Sequence, residues 1–301
     1  MKKQFGERQE NSRKKPEINQ IIDNLWDALP ALASDLIARN QDLSIPKNKR
    51  FQENPDDPSE HEPNWHQWGI ITHTKYFERF YREEVSRKIK EWDINDAVSE
   101  HMNEEIDGVS KEGLLNIAVP LHDLGKFTER TLEEDSGEIK QSFKKHEAAS
   151  GRIIRGELAD KMRDEYNLTS AQIEYIARCA ELHYELGKVR DKGKKSEFGY
   201  TMRFAESDEF REHAKDIMDE YKDFAPEVGL LFLADSLAKT DIRLPVQTDD
   251  DIENQDEAIK KTLMERELNP KLIRGVKQLP VNVHVAKHYL QQWAEQRDYT
   301  K

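Results

Sequence analysis

An all-α fold is predicted for this chain of 301 residues. Two observations carry that prediction. Apolar residues recur at helical spacing through most of the longer segments, and no segment alternates apolar and polar residues convincingly over the length of a strand. No internal repeat is visible. The length suits one large domain or two small ones, and a helical domain of this size buries a real core without disulfides.

Residues 1–17 are polar and basic and are expected to fray. In 18–43, Ile18, Ile21, Ile22, Leu25, Trp26, Leu29, Leu32 and Leu36 recur at helical spacing, while Pro30 predicts a kink or two short helices. Pro55, Pro58 and Pro63 mark 42–63 as loop. A helix is expected over 70–92, with His73, Phe77 and Phe80 on one stripe. Residues 95–111 are polar and ambiguous. Residues 113–126 are apolar on most sides and read as a buried helix that Pro120 bends just before His122.

The charged stretch 127–143, with Asp135-Ser136-Gly137 as a turn, accommodates a small hairpin near 128–142. Ser142 is a candidate cap for a helix over 143–166 that carries His146. Thr169 or Ser170 caps the next, over 169–186, in which Ile173, Ile176, Ala180 and His183 share an inward stripe. Residues 187–195 read as a basic, glycine-containing loop, and 204–221 as a charged, weakly amphipathic helix. A strongly apolar helix over 226–242 embeds Asp235 after Leu230-Leu231-Phe232-Leu233-Ala234. Residues 247–256 form an acidic linker, and one or two helices end near Trp293. The organisation is an N-terminal helical extension (1–50), a main domain (51–245) and a C-terminal helical extension (246–301) packed on it.

Composition narrows the function. Charged residues make up 36% and the net charge is -13. That argues against a protein that coats a polyanion, because nonspecific nucleic-acid binding rests on Lys and Arg at phosphates. A local basic patch stays open. Cys179 is the single cysteine, so an internal disulfide and a cysteine-based zinc site are excluded. The start, Met-Lys-Lys-Gln-Phe, carries no apolar signal segment, and no stretch approaches the roughly 20 apolar residues that span a bilayer. A cytoplasmic protein without a membrane partner is expected.

The chemistry gathers at His122-Asp123, in the run Leu121-His122-Asp123-Leu124-Gly125-Lys126. A buried carboxylate costs several kcal/mol unless something neutralises it. A divalent metal does so and binds imidazole as well. Further ligands are at hand in His73, His146, His183 and Asp235, each in a stretch read as helix. Asp235 is informative by itself, since an unpaired Asp in so apolar a helix is improbable. His73, His122, Asp123 and Asp235 suffice for one metal, and mixed imidazole and carboxylate suits Mn, Fe, Co, Ni or Zn.

The order His73, His122-Asp123, His146, His183, Asp235 resembles the HD-domain metal-dependent phosphohydrolases. It is particularly similar to the HD subdomain attached to bacterial CCA-adding tRNA nucleotidyltransferases. Trp65-His66 precedes His73-Thr74, as the family's Trp-His precedes its first ligand histidine. His122 to Lys126 is followed by Thr128 and Arg130. Lys145-His146-Glu147 stands where the family commonly has Gly-His-Glu. The resemblance covers roughly residues 64–241 and implies an HD helical bundle flanked by extra N- and C-terminal helices. A nucleotidyltransferase head is missing, so CCA addition does not carry over. The resemblance implies one or two metals per chain, with His146 and His183 serving the second and Asp123 bridging. Phosphate contact is their alternative role.

On this reading a metal supplies a nucleophile at neutral pH and neutralises the phosphoryl oxygens. Asp123, Lys126 and His66 are the catalytic candidates, with His66 protonating the leaving group or touching substrate. Lys126 reaches phosphate as a point charge and Arg130 as a bidentate donor. Blander readings stand beside these. Lys126 caps or pairs near a helix end, Arg130 is a solvated charge, and Trp65 and Trp68 are packing. The run Lys188, Arg190, Lys192, Lys194, Lys195 is a solvated loop or an attractor of phosphate. His284 and His288, at i and i+4, can bind zinc but lack a further ligand nearby and are taken as surface or packing residues. The expected function is hydrolysis of phosphomonoester or cyclic phosphodiester bonds in a nucleotide or related small substrate. The alternatives are a phosphoesterase acting on RNA or tRNA ends, and a silent nucleotide-binding module docking through its flanking helices.

Overall fold

Burying the apolar stripes of successive helices against one another sets the architecture. The computed structural model describes residues 17–41, 54–135, 138–199, 201–246 and 248–298. The expectations for 1–16, for 42–53 and for the turn residues Ser136 and Gly137 fall outside them. The fold is all-α, with only two short antiparallel strand pairs among the described residues.

Helix α1 (Ile18–Gln41) runs through Pro30 as one element, not two. Pro30 is exposed, and the buried face of Leu25, Leu29, Ala33 and Leu36 offsets the lost backbone bond. Helix α2 (Ile70–Phe80) continues through a π-helical turn (Tyr81–Val85) into α3 (Ser86–Glu91). The ambiguous stretch resolves into α4 (Asn95–Met102) and a two-residue pair, β1 (Glu105–Ile106) and β2 (Val109–Ser110).

The long helix expected around His122 is broken, not bent. Helix α5 (Lys111–Ala118) stops, Val119–Leu121 tighten into a 3-10 turn, and residues 122–125 are turn before the short α6 (Lys126–Glu129). Pro120 cannot donate the bond a helix needs there. The predicted hairpin forms, with β3 (Thr131–Asp135) paired to β4 (Glu138–Ser142) in the register Thr131↔Ser142. The helix expected over 143–166 is two, α7 (His146–Arg155) and α8 (Ala159–Asp164), parted at Gly156. Its cap is not Ser142 but Lys145, held at φ 70°.

Thr169 caps α9 (Ser170–Leu182) with a reciprocal Gln172 bond, as the sequence predicts. The supposed basic loop is instead α10 (Glu185–Lys192) followed by a 3-10 turn, because Leu186 and Val189 are buried. Ser207 divides the next segment into α11 (Met202–Glu206) and α12 (Asp208–Glu220), accepting from Phe210 N as the cap of the latter. Helix α13 (Ala225–Ala238) is buried along its whole length. The acidic linker contains α14 (Asp249–Glu253), capped by Thr248. Then follow α15 (Asp256–Glu265) and α16 (Ile273–Asp298), which runs five residues beyond Trp293.

One apolar core joins Leu25, Phe77, Leu115, Ile154, Ile176, Phe232 and Val285, so α1, α2, α5, α7, α9, α13 and α16 share it. A smaller cluster lies between α15 and the start of α16, built from Ile242, Ile259, Leu263, Leu272 and Val276. Helix α13 packs on α2, α9 and α16, which puts Asp235 at the middle of the bundle. Among the described residues no helix is long and apolar enough to cross a membrane.

Candidate metal centre

The turn at 122–125 exists because a second backbone passes against it. A Cβ at Gly125 would lie 2.0 Å from His146 O and 2.8 Å from Ala149 Cβ. Only glycine lets α7 approach so closely, and Gly125 N donates to Ser150 Oγ at 2.9 Å across that contact. The approach brings His146 Nε2 to 3.3 Å from Asp123 Oδ1.

Three histidines are held alike. Nδ1 of His122 donates to Val119 O, Nδ1 of His146 to Phe143 O and Nδ1 of His183 to Ala180 O, each at 2.7 Å. A carbonyl only accepts, so the proton belongs on Nδ1 and each neutral ring presents a bare Nε2. All three Nε2 atoms gather at one carboxylate. His122 Nε2 lies 3.3 Å from Asp123 Oδ2 and His183 Nε2 3.7 Å from Oδ1. His73 Nε2 closes the set, 3.7 Å from Asp123 Oδ2 and 3.1 Å from Asp235 Oδ1. Two ligand groups result, His73 with His122 and Asp123, and Asp123 with His146 and His183. Asp123 belongs to both.

The polar accounting favours an ion. His122 Nε2 and Asp123 Oδ1 are buried without a hydrogen bond of ordinary geometry, and Asp123 Oδ2 has only its ion pair with Lys126. His146 Nε2 and His183 Nε2 face each other at 3.3 Å, and although burial pushes His146 down, Asp123 and Glu147 raise it above its ordinary value. These buried His and Asp groups can hold a metal ion, and they are compatible with an HD-type site.

Lysines supply the remaining charge. Lys126 Nζ sits 2.8 Å from Asp123 Oδ2 and 2.9 Å from His61 Nε2. Lys239 Nζ sits 2.8 Å from Asp235 Oδ2, a partner the sequence reading did not identify. Burial pushes both carboxyls up, but Lys126 and His122 at Asp123, and Lys239 and His73 at Asp235, hold them well below the ordinary range. Lys126 is raised despite its burial, by Asp123 and Asp235. Burial and His122 push His183 down to about 4.

A cavity of about 920 Å³ opens onto the centre. Lys126, His146, His183 and Asp235 are on its wall, while His73, His122 and Asp123 are fully buried behind it. His66 is also on the wall, stacked on His61 at 3.8 Å, with its own Nδ1 buried and without a partner. Burial, then His61 and Lys126, lower its pKa well below 6.5, so His66 is neutral at pH 7. Arg130 is not on the wall. Its Nε donates to Gln141 Oε1 at 3.1 Å, and Nη1 is 3.9 Å from Glu60.

The two tryptophans part company. Trp65 lines the cavity, and Trp68 stacks on Tyr76 at 4.2 Å and donates to Ala238 O. From the basic run, Lys188 and Arg190 on α10 and Lys194 in the 3-10 turn after it reach the cavity wall. Sequence reasoning missed His61 and Glu62. Both fall in a stretch read only as loop, and only the Glu-His-Glu cluster ahead of Trp65-His66 hinted at them. Glu62 lines the cavity with φ 43°, and burial raises its carboxyl against the pull of Lys126, His146 and Lys239. Beside His284 and His288 the structure places a carboxylate that the sequence did not show, with Glu206 Oε1 2.9 Å from His284 Nε2.

The chain matches no family model. No curated protein matches it.

Proposed function

We propose that the protein is an HD-type metal-dependent phosphohydrolase that cleaves a phosphoester of a nucleotide or related small molecule. The observation that carries this reading is a single buried carboxylate, Asp123, shared by two sets of histidines behind the wall of a lysine-bearing cavity. A divalent ion bound by these residues supplies Lewis acidity at the phosphoryl oxygens and a nucleophile at neutral pH. His73, His122 and Asp123, with Asp235 beside His73, would hold the first ion, and His146 and His183 would hold a second with Asp123.

Lys126 is pinned by Asp123 and His61, so its charge is placed before substrate arrives and needs no reorganisation. His66 is neutral, so it suits a contact to substrate better than proton delivery. The proton for the leaving oxygen comes more naturally from Glu62, a wall carboxyl with a raised pKa. The cavity volume is that of a small-ligand site, which favours a nucleotide-sized substrate over an RNA end.

Protein loaded with Mn, Co or Ni is expected to turn over at least one class among nucleoside monophosphates, 2′,3′-cyclic nucleotides and aryl phosphates. Inertness toward all of them would sink the enzymatic reading. Nucleotide binding without turnover would move the assignment to a binding module. Glu62→Gln is expected to slow a substrate with an alkoxide leaving group by about 10²-fold, and an aryl phosphate far less. In wild type, the alkyl rate declines as pH rises through the raised pKa of Glu62, and the variant flattens that decline. Equal loss on both substrates would remove Glu62 from the acid role.

A further inference from the structure

We infer that Glu206, His284 and His288 form a separate surface site for a divalent transition-metal ion of the Zn²⁺ type, clamping α16 to the junction of α11 and α12. None of these residues belongs to the central cluster, so the inference does not rest on the function proposed above. His284 and His288 lie one turn apart on one face of α16, the spacing at which two imidazoles share an ion. Their Nε2 atoms are 3.2 Å apart. Glu206 ends α11 and places Oε1 2.9 Å from His284 Nε2. All three ligand atoms lie within 4.8 Å of one another. Tetrahedral zinc with bonds of about 2.0–2.1 Å sets its donors about 3.3 Å apart, so little rearrangement is needed.

Hydrogen bonding alone satisfies this trio poorly. If His284 Nε2 carries a proton, it donates to Glu206, and the lone pair of His288 then faces an N–H already engaged. If His288 donates instead, the Glu206 carboxylate faces a bare nitrogen. A cation satisfies all three at once. The nearby Arg211 has its own acidic partner, with Nη1 2.7 Å from Asp208 Oδ1. Glu206 is exposed and both histidines are half-buried, which leaves a side open to solvent for an incoming ion and a water ligand.

Asn282, two residues before His284, accepts from Arg190 Nη1 at 2.9 Å, and Gln278 is on the cavity wall beside Arg190.

The test uses Zn²⁺ alone, on the 301-residue protein carrying the shape-keeping Asp123→Asn to weaken the central site. Equilibrium dialysis is expected to find micromolar binding that falls by one Zn²⁺ per chain on adding His288→Ala or Glu206→Gln. The rise in Tm with Zn²⁺ should shrink in the same variants. Co²⁺ bound to the parent should give visible absorption that His288→Ala reduces. Equal Zn²⁺ content with and without His288, or no micromolar binding in the parent, overturns the site. Should His288→Ala fail to fold, the exposed Glu206→Gln decides alone.

Discussion

Asp123→Ala is expected to lower kcat/KM by about 10³-fold or more, because ion binding is worth several kcal/mol to the transition state and each 1.36 kcal/mol is tenfold. The effect is large because Asp123 is the member common to both ligand groups. Its removal should empty both groups together, whereas His183→Ala touches only one of them. Loss of Asp123 also leaves Lys126, 3% exposed, without its nearest carboxylate, which costs stability as well. Asp123→Asn keeps the shape and serves as the control. The measurement is bound metal and turnover on the same sample, with circular dichroism to confirm the fold. A folded Asp123→Asn protein that keeps its metal and its rate would remove the centre assigned to this cluster.

Phe232→Ala should be the most destabilising of simple core truncations, at about 3–5 kcal/mol for a fully buried phenylalanine. Phe232 is 0% exposed in the middle of α13, where every neighbour is also buried. Its ring lies 6.5 Å from that of Tyr184, and the Arg190 guanidinium sits 5.8 Å from its centroid. Both belong to the cavity wall, so the variant should weaken substrate binding as well as stability. The urea midpoint checks the first effect and KM the second. Met264→Ala, at a side chain 75% exposed, is the matched control and should stay within about 0.5 kcal/mol. A cost below about 1 kcal/mol for Phe232→Ala would contradict the packing of α13.

The metal-ligating candidates were legible because burial and residue type conflict at each of them. A charged or imidazole side chain set in an apolar run must be answered by something, and the sequence shows both the conflict and its positions. Asp235 after five apolar residues is the plainest case, and α13 is indeed buried throughout. Thr169 shows the same local legibility, since capping chemistry is complete within four residues. Arg130 and the loop read over 187–195 show where it fails. Arg130 stands near the right motif, but its side chain meets Gln141 and Glu60. Residues 185–192 look polar in sequence, yet Leu186 and Val189 find the core and turn the stretch into a helix that presents Lys188 and Arg190 to the cavity.

What the sequence by itself determined is the all-α class, the starts of several helices and the residues able to hold a metal, since each depends on neighbours within a few positions. What only the tertiary structure decided is who answers whom. Lys239 pairs with Asp235, His61 steadies Lys126, Glu62 joins the cavity, and Glu206 completes the pair of histidines on α16. Those meetings depend on how close two backbones come, as at Gly125 against His146, and that distance is fixed by packing across the whole bundle.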